Sequence, residues 1–150
     1  MAPSRVAARE AQEIRRKLSI GTQYCASCKT VKPFTPELFG GHKSTCLECQ
    51  RKFNKDANER RKLKVFTVYS DGTPRCACCG ELELTVLTID HINGGGNKHR
   101  KQIGYGKGSG AHTYRWLIHN NFPEGFRVLC MNCNWAVFIL GHCYHSHTPH

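Results

Sequence analysis

The apolar positions along the chain change rhythm several times, and each change marks an element. Over residues 4–20, Val6, Ala7, Ile14 and Leu18 keep a 3.6-residue spacing with Glu10 in register. Ser4 can cap this stretch and Gly21 can stop it, so a helix is predicted. From Leu47 to about Tyr69 the pattern is helical again, with Phe53 and Ala57 as the main apolar spots in a strongly basic run. Ser70-Asp71-Gly72-Thr73-Pro74 is a turn cluster, and a domain boundary is placed there. Leu82 to Ile89 is a β-rich run ending in Asp90-His91, and Gly125 to Cys130 reads as a second short strand. Residues 112–118 predict a helix that packs Trp116 and Leu117 into a small core. A last helix, Cys133 to Leu140, is stopped by Gly141. Between them, Gly94–Gly110 is rich in glycine and carries Lys98, Arg100, Lys101 and Lys107. It reads either as a loop closing over a phosphate backbone or as plain disordered chain.

Apolar residues make up only 39% of the 150, little for folds that must stand on burial alone. The ten cysteines account for the shortfall. Eight form four Cys-x-x-Cys pairs, which group as Cys25/Cys28 with Cys46/Cys49 and as Cys76/Cys79 with Cys130/Cys133. Each set of four suits a tetrahedral structural Zn²⁺ site. A redox-active Cys-x-x-Cys would expect a βαβ context, which the pattern lacks. Cys78 and Cys143 are left over. Cys78 reads as a passive neighbour that can compete with Cys79, and the histidine-rich tail from His142 to His150 as an adventitious metal binder.

Charge narrows the choice of partner. Lys and Arg number 22 against 11 Asp and Glu, a formal +11, and residues 1–72 hold 15 of the bases and 7 of the acids. Such a balance favours a polyanion, because bases that neutralise phosphates release condensed counterions. Arg51, Lys52, Lys55, Arg60, Arg61, Lys62 and Lys64 on the basic helix, with Lys98, Arg100 and Lys101 in the glycine-rich segment, are the candidate nucleic-acid contacts. A solvated face is the bland alternative. No secretory signal and no membrane-spanning run is evident, so the protein is expected to be soluble and intracellular, where lasting disulfides are rare.

The order strand, Asp90-His91, loop, strand, then a helix opening with Cys133-Asn134 resembles the HNH (ββα-metal) endonucleases. With Cys-x-x-Cys before the Asp-His and Cys-x-x-Cys-Asn after it, the chain looks most like the zinc-stapled endonuclease VII type. The phrases at 88–96 and 120–134 look like phage-encoded HNH proteins, which would place the protein in a host cytoplasm. The resemblance covers about 75–145. It implies a Mg²⁺- or Mn²⁺-dependent phosphodiester hydrolase in which Asp90 and Asn134 hold the divalent cation and His91 is the general base. The commoner pattern has a middle Asn shortly before the second cysteine pair, where this chain has Gly125, and ends in His rather than Asn134. His99 and His112 read as surface residues, with phosphate or metal contact as the alternative. Asn93 is either a polar group near the phosphate or a turn residue.

The expected architecture is α+β: an N-terminal helix (1–23), a Cys₄ zinc module with a basic linker helix (24–72), and a zinc-stapled HNH domain with a histidine-rich tail (73–150). Double-stranded DNA is the expected partner and no membrane. A nuclease acting on junctions would need paired active sites and hence a homodimer. The rival reading is a catalytically inactive zinc-dependent DNA-binding protein.

Overall fold

The structure, a computed structural model, describes residues 21–40, 44–103, 110–143 and 145. The helix read over 4–20, Lys107 and most of the histidine-rich tail lie outside these residues. The chain is α+β with two short antiparallel sheets, and it divides into two compact units on either side of the Ala57–Asn58 bond.

The first unit opens with a hairpin of β1 (Thr22–Cys25) and β2 (Thr30–Pro33), paired from Thr22 with Pro33 to Cys25 with Thr30. Neither strand was legible as apolar alternation, since β1 and β2 are mostly polar. What shapes the hairpin is its turn, where Lys29 takes a positive φ of 57° and its N–H donates to the Cys25 carbonyl at 2.8 Å. A single-turn helix α1 (Pro36–Phe39) follows, and then α2 (Leu47–Tyr69) begins. Among the described residues, the core here is Cys25, Phe39 and Cys46, with Leu38 and Cys49 against it. So little burial is far from offsetting the conformational entropy of ordering these residues, about 1–2 kcal/mol each for the backbone.

The second unit takes the rest of α2, then β3 (Leu87–His91), α3 (Gly96–Gln102), α4 (Gly110–His119), β4 (Phe126–Cys130) and α5 (Met131–Leu140). Its core gathers Val65 and Phe66 of α2, Leu87, Leu117, Val128, Leu129, Ala136 and the cysteines 76, 130, 133 and 143. Each fully buried Val, Leu or Phe contributes about 1.5–3 kcal/mol. The Tyr69 hydroxyl donates to the Pro123 carbonyl at 2.6 Å, and its ring meets Phe122 and Phe126, which ties the end of α2 to this core.

Two elements differ from the expectations. The strand begins at Leu87 and not at Leu82, because Glu83 captures the Thr85 N–H and hydroxyl with one carboxylate oxygen and folds 83–86 into a turn. The glycine-rich segment contains a helix, α3. Gly94 and Gly95 make the left-handed bend (φ 69° and 80°), after which Gly96 to Gln102 are helical. Helix α5 buries Cys133 and Ala136 and leaves Met131, Trp135, Phe138, Ile139 and Leu140 exposed. No helix among the described residues is long and apolar enough to cross a membrane.

Candidate functional site

In the first unit the ligand atoms of Cys25, Cys28, Cys46 and Cys49 lie within 4.8 Å of one another. The hairpin turn supplies the first pair, and the start of α2 supplies the second. The Cys46 N–H donates to Cys25 Sγ at 3.3 Å, and the Lys32 ammonium reaches Cys46 Sγ at 3.6 Å and Glu48 at 3.0 Å. Donors aimed at sulfur stabilise thiolates, the form that binds metal.

In the second unit Cys76, Cys79, Cys130 and Cys133 converge in the same way. Cys130 closes β4 and caps α5, its sulfur accepting the Cys133 N–H at 3.4 Å. Cys79 and Cys130 sulfurs are 3.7 Å apart. Four thiolates about 2.3 Å from a central Zn²⁺ would stand about 3.8 Å from one another along each tetrahedral edge. Both Cys₄ clusters thus fit a structural zinc, and all ten cysteines are free of disulfides.

The second cluster brings the end of β3 to the start of α5. In the ribbon, Asp90 pairs with Arg127 and His91 with Phe126. The Arg127 guanidinium donates from Nε to Asp90 Oδ2 at 2.8 Å. A cleft of about 390 Å³ opens beside them, lined by Asp90, His91, Asn97, Arg100, Asn134 and the bare backbone of Gly94–Gly96, among others. Asn134, distant in sequence from Asp90 and His91, therefore shares one cavity with them. Arg100 joins them from α3. Asn93 is an exposed turn residue outside the lining.

His91 is held on several sides. Its Nε2 lies 3.0 Å from His99 Nδ1, and the two rings share an N–H···N hydrogen bond. Its ring packs on Phe126 with centroids 4.6 Å apart, and His99 in turn stands edge-on to Trp116 at 4.3 Å. Burial and then the neighbouring His99 hold the His91 imidazole below its ordinary pKa of 6.5, which favours its neutral form. A β-carbon on Gly96 would stand 3.1 Å from His91 Nδ1. His99 was read as a surface histidine. The structure instead half-buries it against His91, and only the helix following the glycine bend brings the two together.

The basic residues fare differently from one another. Arg51, Lys52 and Lys55 are exposed in the first unit, and Arg60 and Lys64 in the second, as are Lys98, Arg100 and Lys101 on α3. Lys62 points inward, donating to the Leu84 carbonyl at 2.6 Å with its ammonium 5.2 Å from the centre of the Phe66 ring. Arg61 donates to the Asn58 side-chain oxygen. Tyr114 packs edge-on against Phe66. No protein family, curated protein or solved structure matches the chain.

Proposed function

We propose that the protein is a metal-dependent endonuclease of the HNH type that hydrolyses phosphodiester bonds in DNA. The observation that carries this reading is the cleft in which Asp90, His91, Asn134 and Arg100 meet at the junction of β3 and α5. A neutral imidazole, a carboxylate, an amide and a guanidinium are the groups that such a hydrolysis uses.

The donor set suits a hard divalent cation: a carboxylate oxygen from Asp90 and an amide oxygen from Asn134. Two protein ligands are what Mg²⁺ commonly accepts, since it keeps much of its water. Such an ion would supply Lewis-acid charge to the scissile phosphate and its leaving oxygen. The remaining work falls to the chain. Arg127 holds one oxygen of Asp90 and so orients the other. In the tautomer where His91 Nε2–H donates to His99, the basic lone pair is on Nδ1, along the ring edge that Gly96 leaves uncovered. That nitrogen takes the proton from the attacking water. Arg100 faces the charge that builds on the phosphate. The exposed bases of α2 and α3 attract the duplex backbone.

A second reading has its own support. Asp90 and His91 already have side-chain partners in Arg127 and His99, as they would in a zinc-dependent DNA-binding protein without activity. Supercoiled-plasmid cleavage by the zinc-loaded protein separates the two. Cleavage is expected with Mg²⁺ or Mn²⁺, none in EDTA, and a loss of at least 10³-fold or so in folded His91→Ala, an effect on the scale of a general base with its oriented water. Binding without cleavage in every divalent metal would favour the second reading.

A further inference from the structure

Cys133 belongs to two ligand sets at once. Besides the Cys₄ cluster, its sulfur lies within 4.8 Å of the ligand atoms of Cys78, Cys143 and His145, which lie equally close to one another. We propose that the second unit holds a binuclear zinc centre, with the Cys133 thiolate bridging one ion held by Cys76, Cys79 and Cys130 to a second held by Cys78, Cys143 and His145.

The distances carry the second site. His145 Nδ1 is 3.5 Å from Cys133 Sγ and 3.4 Å from Cys143 Sγ. A Zn²⁺ with sulfur at about 2.3 Å and imidazole nitrogen at about 2.0–2.1 Å would set a tetrahedral S···N edge of about 3.5–3.6 Å. The contacts around His145 therefore have the size of a ZnS₃N tetrahedron, just as the 3.7 Å between Cys79 and Cys130 has that of a ZnS₄ one.

The path of the chain is built for this convergence. Helix α5 is capped by Cys130 at its start and by Gly141 at its end, where a left-handed φ of 76° reverses the backbone. The two residues after it bring Cys143 back to the first turn of the same helix, where it is buried in the unit's core. Cys78 enters from the knuckle between Cys76 and Cys79, so one short loop feeds both sites. Cys133 is fully buried between the two sets.

Charge favours the pair of ions over a single one. One divalent ion in four thiolates leaves an excess of roughly two negative charges in a mostly buried place. Adding a second ion with two further thiolates and a neutral imidazole spreads the same excess over two metals. Each ligating thiol gives up its proton to solvent as the metal enters. A tail that binds metal adventitiously needs neither Cys78 nor a buried Cys143.

Native mass spectrometry of the full zinc-loaded chain, after washing with a weak chelator, counts the ions. Three per chain are expected, one for each ligand set. Cys78→Ser keeps every tail histidine and should lose one ion, as should the double variant Cys143→Ala with His145→Ala. In protein loaded with ¹¹³Cd, three resonances are expected, and two of them should show cadmium–cadmium coupling through the shared sulfur. Two ions in the unaltered chain would overturn the proposal, and this needs no variant to fold. A third ion that survives Cys78→Ser would also overturn it, by assigning that ion to the tail. Three resonances without coupling would remove the bridge.

Discussion

In the proposed nuclease, Gly96 matters to the cleft without contributing a side chain. Its φ is not in the left-handed region, so alanine is permitted there by the backbone, yet the new methyl would stand 3.1 Å from His91 Nδ1. The imidazole must shift by a few tenths of an ångström, and it is clamped by His99 and Phe126 on its other sides. Gly96→Ala is therefore expected to slow plasmid cleavage by about tenfold or more, because misplacing a base is costly, while thermal stability stays close to that of the parent. Parallel rate and melting measurements would show it. A variant that melts early would mean that Gly96 serves the fold instead. Among single residues, the meeting of Asp90, His91 and Asn134 in one cleft was legible because a strand end and a helix start flank them with cysteine pairs. His99 was not, since its place depends on a helix hidden in a glycine-rich run. The third ligand set was equally hidden: Cys78 is masked by the Cys-x-x-Cys pair that encloses it, and Cys143 and His145 have no matching pair in the sequence.

Among the elements, the long α2 and the β4–α5 passage were readable from pattern and stop signals. The β1–β2 hairpin was not, for its strands are short and polar and a backbone turn holds them. The start of β3 was set by one side chain, Glu83, whose hydrogen bonds outbid the β-propensity of the residues around it. The end of α5 offers a clean test of how an element is closed. A β-carbon on Gly141 would meet nothing within 4 Å, so Gly141→Ala exchanges no contact and pays only for its left-handed backbone. The expected cost is about 1 kcal/mol of unfolding free energy, read from the midpoint of denaturant curves. A much larger loss would show that the reversal after α5 carries more of the second unit's stability than its backbone conformation alone.

For the molecule as a whole, cysteine clusters that could hold zinc accompany little apolar burial among the described residues. Among the described residues, the first unit has a core of three, and four of the eleven buried core residues of the second are cysteines. Removing zinc with a strong chelator is expected to abolish tertiary structure in both units, followed by near-ultraviolet circular dichroism alongside a zinc-sensitive dye. Protons compete with zinc for the thiolates, so stability should fall as pH falls, with metal release and unfolding coinciding in the acid limb. Unfolding without metal release would refute this. The ten cysteines were enough to foresee two Cys₄ clusters that could hold zinc, whereas the division at Ala57–Asn58 was not foreseeable, because α2 runs unbroken through it. The ligand sets also fix an order in time. The first cluster is complete once residue 49 has been made, whereas the second waits for Cys133, roughly 80 residues later. At ribosomal speeds of about 5–20 residues per second, that is an interval of several seconds. In its later part, from residue 79 onward, Cys76, Cys78 and Cys79 are present without their partners, so the newborn second unit passes through a window in which its thiols are open to oxidation before a zinc site can form.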